Sequence, residues 1–359
     1  YRKSDDKVFQ LEMERGKVPL PSVESFYLID QTTGYIKINR FSQTTYDEFD
    51  KAINELLSIG MEKLILDLRD NPGGYLLPAK QISNAFLKKE QTIVITQTNM
   101  GEKEKSKAEG NGIFQEGELI VLVNEQSASA SEIVAGAIQD NDRGWIIGRR
   151  TFGKGLVQQQ MPLGEGDAVR LTIAKYFTPT GRSIQKPYSG DREAYYEDLP
   201  NRYHRGEMAD AKKIPITDSL PFKTPKGRTV FGGGGITPDI YISNTKSEEE
   251  ERNSFILSSN MMSNFVFEEL DKNRKKFVGL KKSDLLDDHF EYMLLWHDLF
   301  LKYLSEKEVE LAIDEQETLK SVKAYLGLQL FGENTFNQIK NKNDVFLKSA
   351  IRTLDSLAY

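Results

Sequence analysis

The chain contains no cysteine. Disulfides, thiolate metal sites and a cysteine nucleophile are therefore excluded. Histidine is scarce as well: His204, His289 and His297 are the only three. Any imidazole-based triad or His-rich metal site must draw on them. No apolar run approaches the ~18 residues of a membrane span. A basic surplus is also missing, since 48 Lys and Arg stand against 54 Asp and Glu, for a net charge of -6. That balance argues against a general nucleic-acid binder. The chain begins at Tyr1 and shows no signal peptide, so it reads as a fragment or processed product, silent by itself about compartment.

What is present suffices for a folded core. Hydrophobic residues make up 38% and aromatics 10% of the 359 residues, which disfavours wholesale disorder. At ~150 residues per domain, roughly two to three domains are expected. Residues 7–15 (KVFQLEMER) contain a candidate strand, then Gly16 punctuates and Pro19 and Pro21 mark a linker. A lone strand lacks a partner, so it is expected to be the tail of a preceding domain.

From 35 to 177 strands and helices alternate, which predicts an α/β core with covered sheet faces. Strands are expected at Tyr35–Asn39, Leu64–Leu68, Thr92–Thr96, Leu119–Val123, Trp145–Gly148 and Ala168–Phe177. Helices are expected at Asp47–Ser58, Pro78–Leu87 and Ser129–Asp140. Residues 178–244 are rich in Pro, Gly and polar side chains and read as an irregular surface segment, with Gly232–Gly235 a flexible loop before a strand at Ile240–Ile242. From about Ser247 helical periodicity dominates, and Glu248–Glu251 reads as a solvated helix start. The expected division is 1–21, 22–245 and a helical extension over 246–359.

Three segments can carry chemistry. Leu66–Gly74 (LDLRDNPGG) is a strand running into a Gly-Gly turn, whose bare backbone can approach and hold an oxyanion. Taken alone, the segment is more simply an ordinary strand-to-helix turn, with Asp67 and Arg69 as a structural ion pair. Ser127–Glu132 (SASASE) follows an apolar strand and places a serine at a helix N-terminus, where unsatisfied N–H groups favour negative charge. Ser129-x-x-Glu132 also fits a capping box, which needs no catalysis. Thr151–Gly155 (TFGKG) sets Lys154 between glycines. Gly148, four residues, then Gly153 and Lys154 nearly match a phosphate-binding loop, but Gly155 replaces the required Ser or Thr.

A serine nucleophile needs a base, and the histidines lie outside the α/β segment. A Ser–Lys arrangement is the remaining option. A free lysine titrates near ~10.4, so only ~0.04% is neutral at pH 7. Working as a base means lowering that value toward ~7–8 by desolvation or nearby positive charge, which amounts to about 4 kcal/mol of disfavoured charge. Phe152, Leu156 and Val157 are compatible with such burial.

The ordered set LDLRDNPGG (66–74), NEQSASASEIVAGAIQD (124–140), GRRTFGKGLVQ (148–158), YFTPTGRSIQKP (176–187) and GITPDI (235–240) resembles the carboxyl-terminal processing (tail-specific) proteases, serine endopeptidases of family S41. The resemblance spans about residues 8–244. It implies Ser129 as nucleophile, Lys154 as general base and Gln158 as the residue that orients the lysine. It implies an oxyanion hole from the backbone N–H of Ala130 and of a turn glycine, Gly73 or Gly74, with Gly73 preferred. Asp140 matches an aspartate implicated in some members and is read as structural. The implied fold is a ClpP/crotonase-like spiral of α/β units, with 1–21 the remnant of a PDZ domain and its linker, followed by the helical extension.

The family further implies protein or peptide substrates taken by their C-terminal tails, no cofactor or metal, no nucleic acid, and a place in the bacterial cell envelope, usually the periplasm. Homo-oligomerisation or docking is a role open to the helical tail. Two alternatives stand beside this reading. One is a latent or non-catalytic peptide-binding scaffold lacking its PDZ domain. The other is a crotonase-like acyl-CoA enzyme, which the Ser–Lys pairing disfavours.

Overall fold

The computed structural model describes residues 1–2, 6–16, 18, 20–187, 193, 195, 197–215, 221–287 and 295–357. The chain divides into two compact units, one of residues 21–245 with 345–359 and one of residues 1–20 with 246–344.

The larger unit begins with β1 (Val23–Leu28), β2 (Thr33–Ile38), α1 (Thr45–Ser58), β3 (Lys63–Asp67), α2 (Leu76–Phe86), β4 (Thr92–Thr98) and β5 (Lys103–Lys107). It continues through β6 (Glu118–Val123), α3 (Ala130–Asp140), β7 (Trp145–Gly148), β8 (Leu156–Gly164), β9 (Asp167–Phe177) and α4 (Asp198–His204) to the short strands β10 (Phe222–Lys223), β11 (Thr229–Val230) and β12 (Ile240–Tyr241). A six-stranded sheet runs in the order β1-β2-β3-β6-β7-β12, parallel except for the β1–β2 pair. A four-stranded antiparallel sheet runs β5-β4-β9-β8.

The period of two along a strand explains the layers. Leu64 and Leu66 of β3 and Leu119, Val121 and Val123 of β6 join Phe49, Ile53, Ile82, Phe86, Val134 and Ile138 of the three helices in one buried cluster. Their alternates Ile65, Ile120 and Leu122 face the other way, onto Phe346, Leu347, Ala350 and Leu354. With both faces covered, these strands read as continuous apolar runs.

The smaller unit holds α5 (Glu248–Leu257), α6 (Asn260–Lys272), α7 (Lys282–Leu286), α8 (Trp296–Ser305), α9 (Glu315–Phe331) and α10 (Glu333–Asn341) around Met262, Phe265, Val266, Phe300, Val322 and Leu326. Ser247 caps α5 through a hydrogen bond from the Glu250 amide, and Glu248–Glu251 form its acidic first turn. The last helix, α11 (Val345–Leu357), belongs to the larger unit. The stretch expected as one extension over 246–359 is thus shared between the two units. No described helix is long and apolar enough to cross a membrane.

Other expectations need amending. No strand forms over 7–15; among the described residues this segment shows only an isolated bridge between Arg2 and Lys7, and Val8, Leu11 and Met13 are exposed. A ladder needs a neighbour, and among the described residues none pairs with 8–15. Strands β1, β5, β8, β10 and β11 lie outside the segments expected as strands. Lys103–Lys107 (KEKSK) carries no apolar residue because it is an exposed edge strand, and the Gln158–Gln160 run of β8 is exposed. His204 closes α4 instead of lying in a loop. His289 lies outside the described residues.

Candidate active site

Two turns at the C-terminal ends of β3 and β6 lie against each other. Ser127 Oγ donates to the Leu68 carbonyl at 2.7 Å, and Asn124 Oδ1 accepts the Asp70 amide at 2.9 Å. Asn71 does most of the joining. Its carbonyl accepts the Ala128 amide and the Ser131 hydroxyl, both at 3.0 Å. Its Oδ1 accepts the Gly73 amide at 2.9 Å, and its Nδ2 donates to the Ile38 carbonyl at 2.8 Å. Asp67 and Arg69 form the expected ion pair at 2.6 Å just before the turn.

The approach is close enough to require glycine. At Gly73, with φ +94°, a Cβ would fall 2.7 Å from Ser129 Cβ and 2.8 Å from the Ala130 nitrogen. At Gly74, with φ +147°, it would strike the Phe41 carbonyl. The turn backbone therefore abuts Ser129 and the first turn of α3. Ala130 is the first residue of that helix, and its N–H has no acceptor among the described residues; nor has that of Gly74. The Gly73 N–H is engaged by Asn71.

Ser129 precedes α3 with φ 55° and ψ -110°, a backbone region that side-chain-bearing residues seldom occupy. Its hydroxyl makes no hydrogen bond among the described residues. Such strain persists only where surrounding contacts over-determine it, and it clusters at functional sites.

Those contacts come mainly from Glu132 and Tyr176. The fully buried Glu132 carboxylate accepts the Ser129 and Lys154 amides on one oxygen, both at 2.9 Å. Its other oxygen accepts the Gly153 amide at 2.7 Å and the Thr151 hydroxyl at 2.6 Å. Burial pushes the Glu132 carboxyl up, while these hydrogen bonds pull it back. On the carbonyl side, the buried Tyr176 hydroxyl is shared between the Ser129 oxygen at 2.9 Å and the Lys154 oxygen at 2.7 Å. Burial, with the Glu132 charge beside it, raises the Tyr176 phenol well above its ordinary value. Two side chains thus tie the backbone of Ser129 to that of Lys154, 25 positions apart in sequence.

The other sequence candidates divide. Lys154 is half-buried, as are Phe152, Leu156 and Val157. Gln158 stands exposed on β8 opposite Thr172, and no hydrogen bond joins it to Lys154 among the described residues. Asp140, at the end of α3, is buried in an ion pair with the equally buried Arg182 at 2.6 Å. Gly232–Gly235 is not a loose loop: Gly235, with φ +102°, lies against the Thr151 carbonyl, and its amide donates to the Ile184 carbonyl at 2.8 Å.

Sequence reasoning missed Asn71, Glu132, Thr151 and Tyr176 as site builders. Glu132 had a signal, its position three residues after Ser129. It does accept the Ser129 amide as a capping box requires, but the same carboxylate also binds the lysine loop. Among the described residues no group of three or more His, Asp or Glu side chains is arranged to hold a metal.

Comparison with known proteins gives the site its context. Residues 32–191 match the model of peptidase family S41. The chain is 40% identical over 184 residues to a carboxy-terminal-processing protease of Bartonella bacilliformis, covering 50% of this chain and 42% of that protein. It is 44% identical over 156 residues to a carboxyl-terminal-processing protease of Synechocystis sp., covering 44% and 36%. Among solved structures, a photosystem II D1 C-terminal processing protease matches with a TM-score of 0.42 and 30% identity, over 59% of this chain and 42% of that one. The chain thus spans about two-fifths of the length of these curated relatives.

Proposed function

Because residues 32–191 match the model of peptidase family S41, we propose that the chain is a serine endopeptidase of that family working through Ser129 and Lys154. The observation that carries this reading is the double tie between the two residues through Glu132 and Tyr176. A Ser–Lys pair reacts only if its loops hold a fixed mutual geometry.

In the proposed reaction, Ser129 Oγ attacks the scissile carbonyl and Lys154 Nζ takes its proton. The oxyanion is received by the Ala130 N–H and by a turn glycine. Gly73 lies nearest Ser129, but its N–H is held by Asn71 Oδ1, so the second donor falls to Gly74. Collapse breaks the C–N bond, and Lys154 returns the proton to the leaving amine. Water, deprotonated by Lys154, then adds to the ester carbon. The second collapse frees the new carboxyl terminus and returns the proton to Ser129. Gln158 orients Lys154 in this scheme only if substrate draws it inward from its exposed position.

The finer reading follows the family. It comprises a ClpP/crotonase-type core over 22–245, a PDZ remnant in 1–21, substrates held by their C-terminal tails, and work in the bacterial envelope. Cleavage of fluorescent casein by the wild type, Ser129→Ala and Lys154→Ala tests the chemistry. Both variants are expected to lose activity, and turnover at the wild-type level in either overturns the assignment.

A further inference from the structure

The lysine loop is irregular backbone in a buried setting, so each of its polar groups needs a partner. From the Arg150 carbonyl to the Gly155 carbonyl all have one. The amides of Thr151 and Phe152 donate to the carbonyls of Ile236 and Ser127, both at 3.0 Å, and the next two go to Glu132. The Gly155 amide donates to Gln185 Oε1 at 2.9 Å. The carbonyls of Gly153, Lys154 and Gly155 accept from the Lys186 amide, the Tyr176 hydroxyl and the Tyr176 amide.

The three remaining carbonyls share one side chain. The Arg202 guanidinium donates to Arg150 O at 3.2 Å, Thr151 O at 2.9 Å and Phe152 O at 3.2 Å. Arg202 is 1% exposed and is held by Asp198, at 2.9 Å on the same helix. Asp198 also lies 3.6 Å from Lys186 Nζ, which stands over the rings of Phe152 and Tyr195 at 4.0 and 4.1 Å. Arg150 is fixed in turn by Glu207 at 2.7 Å. This scaffold, residues 198–207, lies beyond the matched domain of 32–191.

We propose that Arg202 is a positioning residue for Lys154: its planar fork holds three consecutive carbonyls and so fixes where the next two residues place the lysine. Lysine cannot replace it, because an ammonium is a point donor that cannot span the set. The inference rests on the reading of Lys154 as the base.

The test uses fluorescent casein with the full chain, comparing Arg202→Lys with Arg143→Lys. Arg143 is the control, a guanidinium that also binds backbone carbonyls, those of Phe86, Phe114, Glu116 and Gly117, but away from the lysine loop. Arg202→Lys is expected to lower kcat about 10- to 100-fold, the scale of a small misplacement, with KM within about threefold. Arg143→Lys lowers the melting temperature but leaves kcat per folded molecule unchanged. If Arg202→Lys does not fold, Asp198→Asn, which loosens the guanidinium and removes the charge beside Lys186, is expected to give a smaller change in the same direction. A folded Arg202 or Asp198 variant with wild-type kcat overturns the inference, as does a parallel loss of kcat in Arg143→Lys. Full cleavage by Lys154→Ala overturns the underlying reading instead.

Discussion

Removing the Glu132 carboxylate tests the site most directly. It accepts four donors: the amides of Ser129, Gly153 and Lys154 and the Thr151 hydroxyl. An unsatisfied buried donor costs about 1–3 kcal/mol. Water entering the space left by Glu132→Ala recovers part of this, so a net loss of about 4 kcal/mol is expected, together with nearly all activity. Glu132→Gln keeps the shape but has one oxygen. Turned toward Ser129 and Lys154, that oxygen preserves the tie, and the amide group meets the Thr151 hydroxyl and the Gly153 amide. The Gly153 amide and the Thr151 hydroxyl, both donors to the lost oxygen, then lack an acceptor, which predicts a loss of about 3 kcal/mol and retained activity. The pH sign is also set. Burial raises the Glu132 carboxyl, so its protonated form stabilises the fold below the ordinary carboxylate range, and that contribution fades as pH rises through the raised value. The stability gap between wild type and Glu132→Gln should narrow accordingly. Urea unfolding across pH and casein turnover measure these effects. A Glu132→Ala protein within about 1 kcal/mol of wild type and fully active, or a Gln variant worse than the Ala variant, refutes the argument.

Three further expectations rest on separate contacts. Ser129→Gly should be more stable than Ser129→Ala by about 1 kcal/mol, because φ 55° suits glycine and strains alanine; equal melting temperatures would count against backbone strain at the serine. Gly73→Ala should lower casein kcat about 100-fold, since its Cβ meets the Ser129 Cβ at 2.7 Å; unchanged kcat would mean that the turn does not border the reacting centre. Burial works to raise the Asp67 carboxyl, but Arg69 and Lys37 beside it hold it well below the usual range. Its stabilisation is therefore complete above about pH 4 and lost as pH falls through the lowered value. Asp67→Asn should cost about 3 kcal/mol near neutrality and flatten the acid limb of stability, as read by denaturant titration.

The parallel core was legible because its strands are buried on both faces. Leu64–Leu66 and Leu119–Val123 read as unbroken apolar runs, and Phe49, Ile53 and Leu56 carry the helical period of α1. Strand β5 was not, since charged residues suit an exposed edge and erase the pattern. The positions of Ser129 and Lys154 in their loops followed from local sequence, as did the need for glycine at 73 and 74. Their joining did not, because it depends on Glu132 serving two loops at once and on a tyrosine hydroxyl from β9.

The tail shows the same limit on a larger scale. Helical periodicity over 246–359 is a local signal, and it cannot tell which core a helix will cover. Phe346, Leu347, Ala350 and Leu354 form the stripe that α11 lays on Tyr35, Ile65, Ile120 and Leu122. Phe346 also lies under the guanidiniums of Arg69, at 4.7 Å, and Arg149, at 5.2 Å. Those arginines follow β3 and β7, immediately before the glycine turn and the lysine loop. A sheet face of Ile65, Ile120, Leu122 and Ile147 would otherwise stand open to water, at ~25 cal/mol per Å² of apolar surface exposed. The unit that carries Ser129 is therefore not closed at residue 245. It is completed by a helix that follows it in the chain by a hundred residues, and the same helix braces the starts of both loops that build the site.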